Sequence, residues 1–474
     1  MSQLDPKIIQ GGMGAGISSW LLAKEVARAG QLGVVSGTCL DSILIRKLQN
    51  GDDRDSLQRA MNAFPIQEMV QKIDQRYFSS SSETLKRYQR SSMLTAKPST
   101  RLQELLMVSN FVEVFLAKEG HSGLVGINYL EKIQMATLPS IYGAMLAGVD
   151  YILMGAGIPK EIPGVIDKLS RHENVELKLQ VEGASVQDHF STVFSPAKMT
   201  QEKLSSSLKR PKFLAIVSSS TLALTLARKS TGKIDGFVVE GASAGGHNAP
   251  PRGTLQLNKL GEPIYGPRDD ANLEIIRQIG LPFWLAGSYG NPEGLQKALA
   301  LGATGIQVGT PFALCKESGL SQDLKTYLLT QAKHDRVDVF TDPVASPTGF
   351  PFKIAKIPGT ISESEIYQER PRKCDLGYLR KPYKKEDGTL GYRCPAEPVK
   401  DYVAKGGKIE DTHGRKCLCN ALLANIDLAQ YQKNDYHEKP LVTIGENIHE
   451  VTQFMKDGDL FYSANDVIQT LLNR

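Results

Sequence analysis

A histidine at the end of a glycine-rich run is the residue of this chain best placed to do chemistry. The run is Glu240-Gly-Ala-Ser-Ala-Gly-Gly-His247, and it follows the strand-like stretch Gly236–Glu240. An imidazole has an ordinary pKa of about 6.5, which suits proton transfer near neutral pH. A loop histidine that merely hydrogen-bonds its neighbours fits the same pattern. We take His247 as the candidate catalytic base.

Three glycine-rich turns have the character of ligand-binding loops. They are Gly11-Gly-Met-Gly-Ala-Gly16, Gly287-Ser-Tyr-Gly290 and Gly309-Thr310, and each follows an apolar run. Glycine lets backbone N–H groups approach phosphate oxygens that a side chain would hold away. The first turn does not have the G-x-G-x-x-G spacing of a dinucleotide site. Turns that simply end parallel strands are the alternative explanation.

The elements that must position these turns form a repeating pattern of short apolar strands separated by helical segments. Such strands are expected to be buried on both faces of a parallel sheet. Eight of them predict a (β/α)₈ TIM barrel, whose sites lie at the carboxyl ends of the strands. The predicted strands are Lys7–Gln10, Gly33–Ser36, Leu124–Tyr129, Tyr151–Gly155, Phe213–Val217, Gly236–Glu240, Phe283–Gly287 and Gly305–Gly309.

The chain has 474 residues, more than the roughly 250 of a compact barrel, so additional segments are expected. We predict the start of the barrel at 1–50, a helical insertion at 51–122 with a serine-rich interruption at Ser79–Ser82, the rest of the barrel at 123–334, and an extension with C-terminal helices at 335–474. The alternating stretch Val175–Val181 predicts a strand with one wet face, outside the barrel.

Composition narrows the class of partner. The formal net charge is +5, and residues 370–416 hold 13 Lys and Arg against 7 Asp and Glu, so the positive excess lies in one segment. This distribution argues against nucleic acid as the primary partner. No apolar stretch approaches the ~20 residues needed to cross a bilayer, and the N-terminus shows no signal-peptide pattern. We expect a cytoplasmic enzyme that acts on a small-molecule substrate. Both a monomer and a homo-oligomer are compatible with the sequence.

Four of the six cysteines fall in that basic segment: Cys374, Cys394, Cys417 and Cys419. Four thiolates could bind one Zn²⁺ or an iron–sulfur cluster, and nearby cations would offset their charge. Only Cys417-Leu-Cys419 is closely spaced, which is weaker than paired C-x-x-C motifs. Unrelated reduced thiols are the alternative.

Several motifs together resemble the nitronate monooxygenase (2-nitropropane dioxygenase) family. The run ending in Ala244-Gly-Gly-His247 is similar to that family's A-G-G-H signature. Ile8-Ile-Gln-Gly-Gly-Met13 and Gly126-Ile-Asn128 match its early strands, and Gly305-Ile-Gln-Val-Gly-Thr-Pro-Phe312 matches its flavin-phosphate region. The motif Ile8-Ile-Gln-Gly-Gly-Met13 also resembles the related FMN-dependent enoyl-acyl-carrier-protein reductases. The resemblance covers residues 7–40 and 124–318.

The resemblance implies non-covalent FMN, with its phosphate near Gly287–Gly290 and Gly309-Thr310. It also implies that His247 removes the α-proton of a nitroalkane, that anionic nitronates need no such step, and that O₂ is the electron acceptor. The cofactor-binding residues carried over in this way are Gly11, Gly12, Met13, Asn128, Glu240, Gly245, Gly246, Gly287, Ser288, Gly290, Gly309 and Thr310.

The sequence departs from the family pattern at two positions near the histidine. Ser243 stands where the family usually has Glu, and Asn248 stands where Arg often follows the histidine. The larger layout resembles the polyunsaturated-fatty-acid-synthase type of enoyl reductase, so an FMN- and NAD(P)H-dependent enoyl-thioester reductase is the alternative function. A non-catalytic flavin-binding partner protein is a second alternative.

Overall fold

The fold is that of a computed structural model, which describes residues 5–78, 87–204, 206–456 and 458–473. The predicted interruption at Ser79–Ser82 lies outside the described residues. The strands of the fold, in chain order, are β1 (Ile8–Gln10), β2 (Gly33–Ser36), β3 (Val125–Leu130), β4 (Tyr151–Gly155), β5 (Val175–Lys178), β6 (Ser191–Phe194), β7 (Lys212–Val217), β8 (Gly236–Glu240), β9 (Gly246–His247), β10 (Phe283–Ala286), β11 (Gly305–Val308), β12 (Val339–Asp342), β13 (Phe352–Ala355), β14 (Lys381–Lys384) and β15 (Leu390–Arg393).

Helices alternate with these strands and follow them in the extension. The α-helices are α1 (Trp20–Arg28), α2 (Leu40–Asn50), α3 (Arg54–Ala63), α4 (Gln67–Tyr77), α5 (Thr100–Lys118), α6 (Gln134–Leu146), α7 (Ile162–Leu169), α8 (Pro196–Thr200), α9 (Ser220–Lys229), α10 (Leu273–Gln278), α11 (Pro292–Ala300), α12 (Thr310–Ala313), α13 (Gln322–Ala332), α14 (Ser364–Glu369), α15 (Val399–Ala404), α16 (Leu418–Ala424) and α17 (Ala464–Leu471). Short 3₁₀ turns occupy Ile409–Thr412, Lys433–Asp435 and Ile448–Phe454.

Eight parallel strands form a barrel, in the order β1-β11-β10-β8-β7-β4-β3-β2. The barrel closes between its end strands, because the Gln10 amide donates to the Leu32 carbonyl (3.0 Å) and the Leu32 amide donates to the Ile8 carbonyl (3.1 Å). These are the eight strands predicted from the sequence, with ends that differ by at most one residue. The predicted (β/α)₈ fold is therefore confirmed.

Both faces of the barrel strands are buried, which explains their nearly continuous apolar sequences. Val238 and Trp284 pack inside the barrel, whereas Phe237 and Phe283, one residue earlier in each strand, pack under the surrounding helices. The Trp284 indole N–H also donates to the Pro6 carbonyl (2.7 Å). These inward-facing side chains fill one end of the barrel and leave a cavity at the carboxyl ends of the strands.

The chain is longer than a compact barrel, and two additional segments lie outside the barrel sheet. Helices α3, α4 and α5 lie between β2 and β3, in the stretch predicted as a helical insertion, and α5 packs on α1 and α6. The hairpin β5–β6 is antiparallel and separate from the barrel sheet, as its alternating sequence predicted.

The extension is joined to the barrel by backbone pairing. Strand β13 pairs with β12 on one side and with the two-residue β9 on the other, both antiparallel. Because β9 contains His247, the extension contributes directly to the loop that carries the candidate base. Within the described residues no helix is both long and apolar enough to cross a membrane.

A buried ion pair anchors the extension. The Arg370 guanidinium donates from Nε and Nη2 to the two carboxylate oxygens of Glu438, each at 2.7 Å, and both side chains are fully enclosed. Gln432 Nε2 donates to the same carboxylate (2.9 Å). A bidentate pair of this kind joins two parts of the chain that are 68 residues apart.

We predict that Glu438→Ala lowers the free energy of unfolding by about 3–5 kcal/mol, because it leaves the Arg370 charge buried without a partner. Urea denaturation followed by circular dichroism measures the change. Asp338→Ala is the matched control, since Asp338 forms an exposed pair with Lys356 (2.8 Å) and its loss should cost under about 1 kcal/mol. Equal effects of the two variants would contradict the anchoring role.

Candidate active site

One cavity at the carboxyl ends of the barrel strands contains every residue predicted to bind the cofactor. Its wall includes His247 together with Gly11, Gly12, Met13, Asn128, Glu240, Gly245, Gly246, Gly287, Ser288, Gly290, Gly309 and Thr310. These residues come from the ends of β1, β3, β8, β10 and β11 and from the loops that follow them. The topology therefore brings together motifs that are almost 300 residues apart in the chain.

The floor of this cavity suits a planar, polar ring. Gly12 packs so closely on Asn128 that an added Cβ would lie 2.4 Å from the Asn128 Cβ, which explains the need for glycine there. The side-chain oxygens of Asn128 and Gln307 are buried without a hydrogen-bond partner among the described residues. Buried polar atoms are normally satisfied, so two unpaired oxygens at one cavity indicate a ligand with hydrogen-bond donors. An isoalloxazine ring has such a donor, and these residues fit FMN.

The opposite end of the cavity suits a phosphate held by backbone. Gly287 and Ser288 both have left-handed backbone conformations (φ +90° and +59°), and they turn the chain sharply after β10. No Lys or Arg lines this cavity among the described residues, so backbone N–H groups and hydroxyls would hold the phosphate. The Thr310 hydroxyl accepts a hydrogen bond from the Gly445 amide (2.8 Å), which places the extension against this turn.

The extension fixes the orientation of His247. Its Nε2 lies 2.7 Å from the Oγ of Ser346, a fully buried residue of the extension. The imidazole also packs on the Phe352 ring, with 4.8 Å between ring centroids. Just before it, Gly246 has a positive φ (+86°), and its amide donates to the Thr443 hydroxyl (2.7 Å). The histidine is thus held by contacts from three separate parts of the extension.

Burial moves the pKa values of His247 and Glu240, two of the titratable groups that line this cavity, in opposite directions. Burial lowers the pKa of His247 to about 4 and raises the pKa of Glu240 to about 7. Desolvation disfavours the charged form of each group, so His247 becomes a weaker base and Glu240 becomes a weaker acid. At neutral pH His247 is therefore a neutral imidazole, and Glu240 is close to half protonated.

A second cavity shares part of its wall with the first, at Glu240 and His247 and also at Ala156 and Ile216. Its wall shares Glu240 and His247 with the first cavity and continues along Asn248, Tyr265 and Phe350. His247 and Glu240 consequently face both the cofactor side and a separate space that could hold a substrate. Pockets with a few convergent polar groups of perturbed pKa are typical of active sites.

The departures noted at Ser243 and Asn248 have local explanations. Ser243 lines the first cavity and packs on Gly287, where an added Cβ would lie 3.0 Å from the serine Oγ. A longer glutamate would not fit this contact without movement. Asn248 is buried, and its Nδ2 donates to the Ala244 carbonyl (3.0 Å), so it shapes the glycine-rich loop.

Sequence reasoning did not assign the residues that the extension adds to the site. Ser346, Thr443 and Glu446 have no recognisable motif around them, and all three lie more than 90 residues after His247. The segment Ser346-Pro-Thr-Gly-Phe-Pro-Phe-Lys353 carried the one available signal, since paired prolines and aromatic residues indicate an ordered loop.

The four cysteines of the basic segment lie around one small separate cavity. Within the described ranges, however, no three His, Cys, Asp or Glu side chains are arranged to hold a metal ion. Burial raises the pKa of all four thiols, to about 12 for Cys374. The prediction of Zn²⁺ or an iron–sulfur cluster at Cys374, Cys394, Cys417 and Cys419 thus gains no support, and they are free thiols in a packed interior.

Comparison with known proteins agrees with the motifs at this site. Residues 159–347, which include His247 and both phosphate-type turns, match the family model described as nitronate monooxygenase. This similarity to the nitronate monooxygenase family covers less than half of the chain. "Probable nitronate monooxygenase" of Staphylococcus haemolyticus is 32% identical over 137 residues, which is 28% of this chain and 37% of that protein. The Staphylococcus saprophyticus protein is 32% identical over 127 residues, 27% of this chain and 34% of its own length.

These matches cover little more than a third of the length of the relatives. Similar solved structures include FabK from Thermotoga maritima (14% identity, TM-score 0.48, covering 99% of this chain and 93% of that one). Nitroalkane oxidase from Streptomyces ansochromogenes has 14% identity and a TM-score of 0.45, with 99% and 96% coverage. The enoyl reductase domain of MlnA from Bacillus amyloliquefaciens has 12% identity and a TM-score of 0.48, with 99% and 94% coverage.

We predict that the His247 imidazole titrates near pH 4, because burial disfavours its charged form. Nuclear magnetic resonance of protein labelled with ¹³C-histidine measures the titration, and the signal missing in His247→Gln assigns it. Since the folded pKa lies below the unfolded one, His247 costs stability as the pH falls from about 6.5 toward 4. A midpoint between pH 6 and 7 would show that the imidazole is solvated.

Proposed function

We propose that this chain is an FMN-dependent oxidoreductase that oxidises alkyl nitronates and nitroalkanes with O₂. The observation that supports this most directly is the single cavity that unites the glycine-rich turns, the unpaired oxygens of Asn128 and Gln307, and His247. FMN in this cavity would accept electrons from the substrate and pass them to O₂. The residues of the chain bind it, orient the substrate and handle protons.

His247 is proposed as the base that removes the α-proton of a neutral nitroalkane. Its Nε2 faces Ser346, and a hydroxyl can either donate to or accept from a ring nitrogen, so Ser346 can hold the ring in both protonation states. A pKa of about 4 makes the imidazole a weak base. We therefore propose that nitronates, which carry no α-proton to remove, are better substrates than the parent nitroalkanes.

We predict that His247→Gln slows O₂ consumption with a nitroalkane by about 10²-fold or more, because general base catalysis is lost, and leaves the rate with the matching nitronate within a few-fold. An oxygen electrode measures both rates, and the flavin absorption of the purified variant shows whether the cofactor stays bound. His334→Gln is the control, since His334 is exposed at the end of α13. Full nitroalkane activity in His247→Gln would exclude the base role.

Ser346→Ala tests the same base with a smaller expected loss of activity than His247→Gln. It removes one hydrogen bond to His247, so a loss of about tenfold is expected with the nitroalkane and little change with the nitronate. Ser346→Thr keeps the hydroxyl and should restore most of the rate. Equal losses with both substrates would show that Ser346 supports the fold and does not position the base.

Glu240 favours a second candidate function, an NAD(P)H-dependent enoyl-thioester reductase. Reducing the double bond requires a hydride on one carbon and a proton on the carbon next to the thioester carbonyl. Its pKa of about 7 leaves Glu240 partly protonated at neutral pH, and it faces both cavities. A carboxylic acid kept neutral in this way can donate that proton.

For this second function we predict that enoyl-thioester reduction falls as the pH rises through about 7, because the acid form of Glu240 is then lost. Glu240→Gln should lower the rate and remove that inflection. Anaerobic NADPH should bleach the flavin, and an enoyl thioester should restore its colour. Flavin that NADPH leaves oxidised would exclude the reductase and leave the nitronate oxidase.

A further inference from the structure

The two cavities at the carboxyl ends of the barrel strands meet along a short shared wall. Four residues line both of them, the aliphatic Ala156 and Ile216 and the titratable Glu240 and His247. We call these four residues the junction. Under the proposed function, a flavin in the first cavity reacts with a substrate in the second, and reacting atoms must approach to about 3–3.5 Å. The reacting carbon must therefore lie at the junction.

Ala156 lies in a tight turn after β4, between two glycines that leave no room for a side chain. A Cβ on Gly155 would lie 2.9 Å from the Ile216 Cβ, and a Cβ on Gly157 would lie 2.0 Å from the Glu131 Oε2. The Glu131 amide also donates to the Gly155 carbonyl (2.9 Å), and the Glu131 side chain is buried. Close packing on both sides of Ala156 fixes its position between the two cavities.

Ala156 itself has a backbone conformation that glycine adopts without strain. Its φ is +53°, in the left-handed region where the Cβ of an L-residue is crowded by the backbone. Asn and Asp tolerate this region because their side chains hydrogen-bond locally, and alanine has no such group. Glycine would be the relaxed residue here, as it is at both neighbouring positions. Strain that is kept at the wall of a candidate active site indicates a functional role for the methyl group.

Ile216 is the second aliphatic residue of the junction, and it is also held in place. It belongs to β7, which lies between β4 and β8 in the barrel, and it pairs with Val238 of β8. Its side chain packs against the hydrophobic cluster inside the barrel. A β-branched side chain has few accessible χ1 rotamers, so it cannot easily move away from a ligand. Ala156 and Ile216 together form a fixed apolar wall at the junction.

We propose that Ala156, with Ile216, determines specificity at the reacting carbon and makes the enzyme prefer primary nitronates over secondary ones. This deepens the proposed function, on which it rests, because it names the substrate class of the same site. A nitronate carbon is planar and carries two substituents besides the nitrogen. One substituent can extend into the second cavity, and the other must fit against the junction wall. Hydrogen, as in a primary nitronate, fits there, whereas a second carbon meets the methyl group of Ala156.

Two isomeric substrates test this proposal. Propyl-1-nitronate and propyl-2-nitronate have the same charge and the same number of carbons, and neither needs removal of an α-proton, so the comparison does not depend on His247 as a base. We predict that the wild-type holoprotein has a kcat/KM about tenfold or more higher for propyl-1-nitronate, and that Ala156→Gly reduces this ratio to about twofold by raising the value for propyl-2-nitronate. An oxygen electrode measures the rates.

Asp335→Gly is the matched control, because Asp335 is an exposed residue after α13 with a similar φ of +52°. Glycine relaxes a positive φ, so both variants should keep or raise the melting temperature, and only Ala156→Gly should change the ratio of the two isomers. Ile216→Val is a second variant at the same wall. It keeps the β-branched shape with one methylene less, so it should lower the ratio by about two- to threefold.

Unreactive carboxylates of the same shapes give a readout without turnover. Butanoate and 2-methylpropanoate match the two nitronates, with a carboxylate in place of the nitronate group, and changes in flavin absorption give their Kd values. Wild-type protein should bind butanoate about tenfold more tightly, and Ala156→Gly should bind both alike.

A wild-type protein that does not favour the unbranched isomer, or a preference that Ala156→Gly leaves unchanged in either measurement, would overturn the proposal. Flavin-loaded protein that consumes no O₂ with either nitronate would instead count against the proposed function, and the carboxylate titrations would still decide the role of Ala156.

Discussion

The pairing of β13 with β9 is the interaction on which the site depends. Phe352 pairs with His247 and Lys353 pairs with Gly246, so a strand of the extension lies along the two residues that end the glycine-rich run. This pairing places Ser346 and Phe352 against the imidazole, which is half-buried and lines both cavities. Burial lowers the pKa of His247 and raises the pKa of Glu240.

The buried Lys353 stabilises the pairing of β13 with β9. The Lys353 ammonium is fully enclosed and donates to the Thr341 hydroxyl (3.0 Å) and to the carboxylate of Glu446, which lines the first cavity. Gly245 packs on Ile444 so closely that an added Cβ would lie 2.7 Å from its carbonyl carbon. Close backbone packing and the ion pair of the buried Lys353 with the exposed Glu446 make this part of the extension a fixed wall of the site.

The extension therefore has two roles that a compact barrel would leave to its own loops. It encloses the candidate active site, through Ser346, Phe352 and Thr443, and it supplies Arg380 and Lys381 to a neighbouring cavity. The excess charge of residues 370–416 is thus partly explained by Arg380 and Lys381, which face a cavity, and by Arg370, which is buried against Glu438. The cysteines of that segment belong to its packed interior.

The amino-acid sequence by itself determined the barrel and the glycine-rich turns that line the candidate site. Strands such as Gly236–Glu240 are buried on both faces, so they are continuously apolar and can be recognised locally. Glycines such as Gly12 and Gly287 are required by close backbone approach or by positive φ, which also leaves a local trace. These requirements act within a few residues, and the sequence records them directly.

Only the tertiary structure decided what surrounds His247 and whether the cysteines could serve as ligands. Ser346 lies 99 residues from His247, and its hydrogen bond exists because β13 folds back onto β9. The pKa values depend on how much water this return excludes, which no local pattern records. Clustering in sequence brought Cys374, Cys394, Cys417 and Cys419 around one cavity but not into a ligand geometry, since that depends on the direction of each side chain after packing.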